Sequence, residues 1–127
     1  MIIKKEVSMK EEMNNTIFDI NDIDPKIFDD RWVKFAFGPQ GHIDSKSLNL
    51  GIVHFTKNRI SLNHCHDVEE ALYVLSGKGQ IKIAGRIKEI KKGDFIFIPR
   101  ETDHQIISKE VPVRILFIFG GEITITQ

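Results

Sequence analysis

Two histidines separated by one residue, His64 and His66, precede a glutamate, Glu70, and a third histidine, His104, follows much later in the chain. Side chains alternate along an extended segment, so positions i and i+2 share a face. His64 and His66 can therefore present two imidazoles side by side, a bidentate clamp for a metal ion. Glu70 has the same parity and brings a carboxylate to the same point if the chain bends through Asp67-Val68. A fourth donor must come from elsewhere. His104 follows the turn Pro99-Arg100-Glu101-Thr102-Asp103 and opens another strand, which places it to serve.

The elements that must hold these residues are short and rich in β-formers. Runs at Thr16–Ile20, Arg31–Phe37, Leu48–Phe55, Ala71–Leu75, Gln80–Ala84, Phe95–Ile98, Gln105–Ile107 and Val113–Phe119 read as strands. Turn signals separate them at Gly38-Pro39, Gly77-Lys78-Gly79, Gly85, Gly93-Asp94, Pro99 and Pro112. Gly77-Lys78-Gly79 predicts a hairpin turn. The polar stretch Asp22–Asp30 predicts a turn or a short helix. Many short strands with scarcely a helical period indicate an all-β sandwich or closed barrel, and closure also removes exposed strand edges.

A chain of 127 residues suits one domain. Its 18 basic and 18 acidic side chains cancel, which argues against a nucleic-acid partner or a polybasic membrane contact. A small molecule is left as the expected partner. No run approaches the length of a membrane helix. The single cysteine, Cys65, cannot make an internal disulfide, and Met1–Val7 lacks a signal-length apolar run. A cytoplasmic location is the expectation.

The pattern resembles the cupin superfamily. Its first motif reads here as Asn58, His64-x-His66, three residues, Glu70, six residues, Gly77. The second reads as Gly93, five residues, Pro99-x-Glu101, two residues, His104, three residues, Ser108. Asn58, Glu101 and Ser108 stand where the family has glycine, glycine and asparagine. Asn tolerates a left-handed backbone, Glu101 suggests a different loop at the barrel mouth, and position 108 is taken as structural.

The resemblance implies a double-stranded β-helix, a jelly-roll barrel over residues 31–127, with residues 1–30 as an N-terminal arm or edge strand. It implies four metal ligands, His64, His66, Glu70 and His104, and a homodimer joined through N-terminal strands. Three imidazoles and a carboxylate suit one divalent transition metal: iron, manganese, nickel, cobalt, copper or zinc. Such an ion polarises substrate oxygens. The expected activity is that of a dioxygenase, decarboxylase, lyase or isomerase on a small oxygen-rich metabolite. The alternative is a barrel that binds or senses a small molecule without turning it over.

Tyr73 is the side-chain candidate for moving a proton. Arg59, Arg86, Arg100, Gln105 and Asn49 are candidates for orienting a polar ligand, though each residue type is more often structural. Cys65 alternates away from its flanking histidines and is expected as a small packed filler. His54 lies in an apolar run and is expected to be a satisfied wall residue, and His42 a solvated loop residue.

Overall fold

The computed structural model describes residues 16–120. Nine strands run through the described residues: β1 (Lys26–Ile27), β2 (Arg31–Phe37), β3 (Leu48–Phe55), β4 (Glu70–Ser76), β5 (Lys78–Ile83), β6 (Arg86–Lys91), β7 (Phe95–Ile98), β8 (His104–Ser108) and β9 (Val113–Gly120). They form two antiparallel sheets, one ordered β1-β2-β3-β9-β4-β7 and the other β6-β5-β8. The chain is a jelly-roll barrel.

Alternation along each strand decides which side faces in. In β2 the inward positions are Arg31, Val33 and Phe35, and in β9 they are Val113, Ile115, Phe117 and Phe119. β4 turns Glu70, Leu72 and Val74 inward. Ile81 and Ile90 from the smaller sheet meet these residues in one core cluster, so the two sheets share a single interior. Full burial of each such valine or isoleucine contributes roughly 1.5–3 kcal/mol.

β5 and β6 form a hairpin through Ala84 and Gly85, whose φ values of 49° and 82° give the doubly left-handed turn that matches strand twist. The expected hairpin at Gly77-Lys78-Gly79 is not one. β4 belongs to the larger sheet and β5 to the smaller, so Gly77 is a corner where the chain changes sheets. Its φ is +83°, and a Cβ there would collide with the Pro112 carbonyl. Only glycine fits both demands.

Two other expectations are corrected. Thr16–Ile20 forms no strand; Asp19 caps a short 3-10 helix, Ile20–Asp22, with its carboxylate accepting from Asn21 N–H. β6 carries Arg86, Lys88, Glu89 and Lys91 and buries only Ile90, so its charges mask the strand pattern. The stretch Asp22–Asp30 contributes β1, an edge strand paired with β2 at Lys26↔Val33 and Ile27↔Trp32. The remainder of the expected N-terminal arm, 1–15, lies outside the described residues, as do 121–127.

Candidate metal centre

The segment carrying His64 and His66 is not a continuous strand. It is an extended strip beside β8, stitched by bridges at Ile60↔Ile107 and His64↔His104. The His64 and His104 backbones exchange both N–H···O bonds, at 3.2 and 3.0 Å. Further in, Ser61 N–H donates to the Ile106 carbonyl at 2.9 Å, and Ile106 N–H donates to Ser61 Oγ at 2.9 Å. The strip thus extends the smaller sheet irregularly, and its alternation survives: Cys65 and Asp67 are exposed while His64 and His66 turn partly inward.

The three motif departures all find a place in this strip and its neighbours. Asn58 adopts φ 58°, the left-handed turn it was expected to tolerate, and donates its N–H to the Lys109 carbonyl. Glu101 adopts φ 55°. The glutamate therefore takes a left-handed backbone of the kind glycine adopts readily. In that conformation Glu101 N–H reaches the His66 carbonyl at 2.6 Å and ties the two motif loops together. Ser108 is buried, accepts from Arg59 N–H at 3.0 Å and donates to the Thr56 carbonyl.

One ligand atom from each of His64, His66 and His104 lies within 4.8 Å of the others. Glu70 opens β4 just past the bend at Asp67-Val68, and its Oε1 sits 3.2 Å from His104 Nε2. Both residues are buried. The ring faces are set by backbone carbonyls: His64 Nδ1 is 2.7 Å from the Leu62 oxygen and His104 Nδ1 is 3.0 Å from that of Thr102. A carbonyl only accepts, so each Nδ1 carries a proton and each Nε2 is left for the interior.

Burial lowers the basicity of His64, with the Leu62 carbonyl opposing, and burial likewise lowers that of His66 against the pull of Glu70. Both favour the neutral, ligating form. Burial also acts to lower His104, but the adjoining Glu70 carboxylate and the Thr102 carbonyl outweigh it, and its pKa is raised. Glu70 Oε1 makes no aligned hydrogen bond. A buried carboxylate oxygen facing a ring nitrogen whose partner nitrogen is already committed requires a positive charge between them, either a proton or a cation. The residues present fit a divalent ion.

A cavity of about 520 Å³, including its open mouth, lies against this cluster. Its polar lining is Arg31, His64, His66 and Glu70, and the remaining wall is aliphatic and aromatic, from Val33, Leu72 and Phe119 among others. His66 packs edge-on against the Phe119 ring, 5.0 Å between centroids. Arg31 was not among the sequence candidates. The available signal was its inward parity with Val33 and Phe35, a cation at an apolar position of an alternating strand.

Residues 51–119 match the cupin domain family, more than half of the chain. The chain belongs to the cupin family. Among curated relatives, this cupin is 43% identical over 49 residues to a Methanocaldococcus jannaschii protein, covering 38% of this chain and 39% of that one. It is 31% identical over 67 residues to the pectin degradation protein KdgF of Dickeya dadantii, covering 52% of this chain and 61% of the relative. The matches therefore span less than two thirds of either relative. Among solved structures, the DMSP lyase DddQ of Ruegeria pomeroyi superposes with a TM-score of 0.75 at 19% identity, covering 84% of this cupin and 60% of the lyase. KdgF from Halomonas sp. gives 0.73 at 17% identity, covering 84% and 94%. At such identities the superpositions establish the fold alone.

The other sequence candidates lie apart from the cavity wall. Tyr73 is on the opposite face of β4 from Glu70 and Leu72, with its ring 4.5 Å from that of Phe95. Arg59, Arg86 and Arg100 are exposed, and Gln105 donates to the Ser61 carbonyl at 3.0 Å. Asn49 is buried near Gly38, at a separate small cavity. Cys65 is exposed, so it is not the packed filler expected: among the described residues nothing covers the outer side of the strip at that position. His54 stacks flat on Trp32 at 5.1 Å on the outside of the barrel and receives a 3.3 Å hydrogen bond from Arg114 Nε. His42 is exposed beside Phe18.

Proposed function

We propose that this cupin is a metal-dependent protein in which His64, His66, Glu70 and His104 hold one divalent transition metal facing the cavity. The reading is carried by the buried Glu70 Oε1, which meets His104 Nε2 at 3.2 Å without an aligned hydrogen bond. Bound there, the ion would act as a Lewis acid toward oxygen atoms of a small metabolite. The protein's own part is to fix the His64 and His104 rings through backbone carbonyls, to supply one compensating negative charge, and to exclude water with apolar walls. The reaction belongs to the lyase, decarboxylase, isomerase or dioxygenase classes. The likeness to KdgF and to a DMSP lyase supports that range and favours oxygen-rich substrates.

The test is metal analysis of protein purified without chelator, beside His66→Ala. One equivalent of metal in the native protein, lost in a variant that still folds, supports the reading; no retained metal in either refutes it. Turnover of hydroxy-keto acids, uronates and catechols then identifies the reaction class.

One observation favours a second reading, a non-catalytic binding or sensing barrel. Besides Arg31, His64, His66 and Glu70, the cavity lining contains, among the described residues, no acid or base to move a proton. Retained metal with ligand binding but no turnover of the panel would select it.

A homodimer in the cytoplasm belongs to the same proposal. Phe95 and Phe97 are 82% and 58% exposed on edge strand β7, an apolar face suited to a second copy. Light scattering on the purified protein reads its mass directly.

A further inference from the structure

The larger sheet ends in the edge strands β1 and β7, and the smaller sheet has β6 at one edge. An open edge is a row of unpaired backbone groups, and charged side chains commonly guard it against pairing with another chain. β6 carries Arg86, Lys88 and Lys91, and β1 carries Lys26. β7 reads Phe95-Ile96-Phe97-Ile98 and carries no charge. Hydrogen bonds on either side of β4 show which of its backbone groups stand open. Val74 N–H donates to the Asp94 carbonyl at 3.0 Å toward β7, and Gly120 N–H donates to the Glu69 carbonyl at 3.0 Å toward β9. Alternation then aims the backbone groups of Ile96 and Ile98 at β4 and those of Phe95 and Phe97 at the open edge. The side chains of Phe95 and Phe97 stand on the outer face, in line with Tyr73 and with Ala71 and Ile118. At about 200 Å² for a fully exposed phenylalanine, the two rings present roughly 300 Å² of apolar surface. Two such patches make roughly 600 Å², about half of the 1,200 Å² at which specific interfaces begin, and a little over half of an interface is apolar.

We propose that β7 is the seam of a symmetric dimer, pairing antiparallel with β7 of a second copy so that the two larger sheets run on as one. The inference rests on the homodimer reading and names the strand that joins the copies. A twofold axis at Ile96 sets Phe95 opposite Phe97 of the partner subunit. Both residues direct their N–H and carbonyl groups to the seam, so each such pair exchanges both N–H···O bonds. The same register keeps every side chain on its own face, the phenylalanine rings outside and Ile96 toward the core it already packs against. A slip of one residue would set phenylalanine against isoleucine and turn one of them to the wrong face. Pro99 has no N–H and closes the stretch that can pair. The occupant is a second copy because β7 is its own complement, and a twofold contact needs a surface that matches itself. The described N-terminal segment lies at the other side of this sheet, where Phe18 packs on Phe37 and Lys34 Nζ donates to the Ile20 carbonyl.

The experiment is light scattering on the full chain over a dilution series, with amide hydrogen exchange measured across residues 94–99 in dimer and in monomer. At high concentration the native protein is expected to show twice the 14.6 kDa of one chain. Phe97→Lys changes a side chain that is already exposed, and symmetry sets the new charge at two points of the seam. Its dimer dissociation constant should rise about tenfold or more. Ile87→Lys, at an apolar residue 55% exposed on the charged edge β6, should change that constant by about twofold or less. The amides of Phe95 and Phe97 should exchange about tenfold or more slowly in the dimer than in the diluted monomer. A dimer that Phe97→Lys leaves as tight as the native one, or equal exchange of these amides in dimer and monomer, overturns the seam and leaves the homodimer reading to another interface. The mass of a single chain at every concentration removes both. Should Phe97→Lys not fold, exchange in the native protein decides.

Discussion

Glu70 Oε1 and His104 Nε2 face each other at 3.2 Å inside the barrel, one from the start of β4 and one from the start of β8. Their separation is too short for two unprotonated atoms in a buried setting to be stable without a charge between them. In the protein without an ion burial acts to lower the pKa of His104, but the Glu70 carboxylate and the Thr102 carbonyl raise it on balance, which favours a proton there. Replacing that proton with a divalent cation should strengthen the whole cluster.

Adding zinc or manganese to chelator-treated protein is therefore expected to raise its melting temperature, by the equivalent of about 2.7 kcal/mol at a free metal concentration one hundred times the dissociation constant. Glu70→Gln keeps the shape and removes the charge, so the metal-induced rise should shrink sharply. Differential scanning calorimetry with and without chelator checks both, and an equal rise in the variant would count against Glu70 as a ligand.

Ser108→Ala should destabilise the fold by about 1–3 kcal/mol, because the buried Ser108 Oγ both accepts from the Arg59 N–H and donates to the Thr56 carbonyl, and its loss leaves both without that partner. Urea unfolding of the variant measures this. The same change should loosen the strip that leads to His64, so metal affinity is expected to fall with stability.

Gly77 and Gly85 share a left-handed backbone, at φ +83° and +82°, but differ in surroundings. A Cβ at Gly85 meets nothing within 4 Å, whereas at Gly77 it strikes the Pro112 carbonyl. Gly85→Ala should cost about 1 kcal/mol from backbone strain, and Gly77→Ala about 3 kcal/mol or more. Similar losses in paired denaturation curves would mean that the sheet-crossing corner is softer than its packing indicates.

His54 carries a lowered pKa, from burial first and then from the positive charge of Arg114. Its folded pKa lies below the unfolded value of 6.5. The unfolded chain then binds the extra proton, so this contribution to stability is complete above the unfolded pKa and lost as pH falls through the folded one. Melting temperatures of native protein and His54→Gln, followed from pH 8 downward, should converge in acid. A constant gap across the range would show that His54 does not titrate between the two states.

Much of this architecture was legible in the residues. β2, β3 and β7 have the bounds that their apolar runs mark, since alternation and burial agree there. β6 was missed because its side chains are chiefly charged and its stability comes from pairing with β5, a tertiary fact. The Gly77 corner was misread because a glycine with positive φ serves a hairpin and a change of sheet equally well, and only the partners of the flanking strands distinguish them. His64, His66, Glu70 and His104 could be named from spacing and family pattern. Arg31 could not, because a lone arginine at a strand start is common on surfaces, and its inward parity matters only once the cavity exists.

The pairing of His64 with His104 has a kinetic consequence. The two strips it joins are distant along the chain, so the backbone bonds between them close a large loop and come at an entropic cost that only long-range contacts offset. A peptide spanning the first motif alone would hold two imidazoles and a carboxylate but have no partner strip to orient them. Ion capture should accordingly be a late event in folding, following the docking of β8 rather than guiding it, and rapid-mixing experiments would see metal uptake lag the formation of sheet.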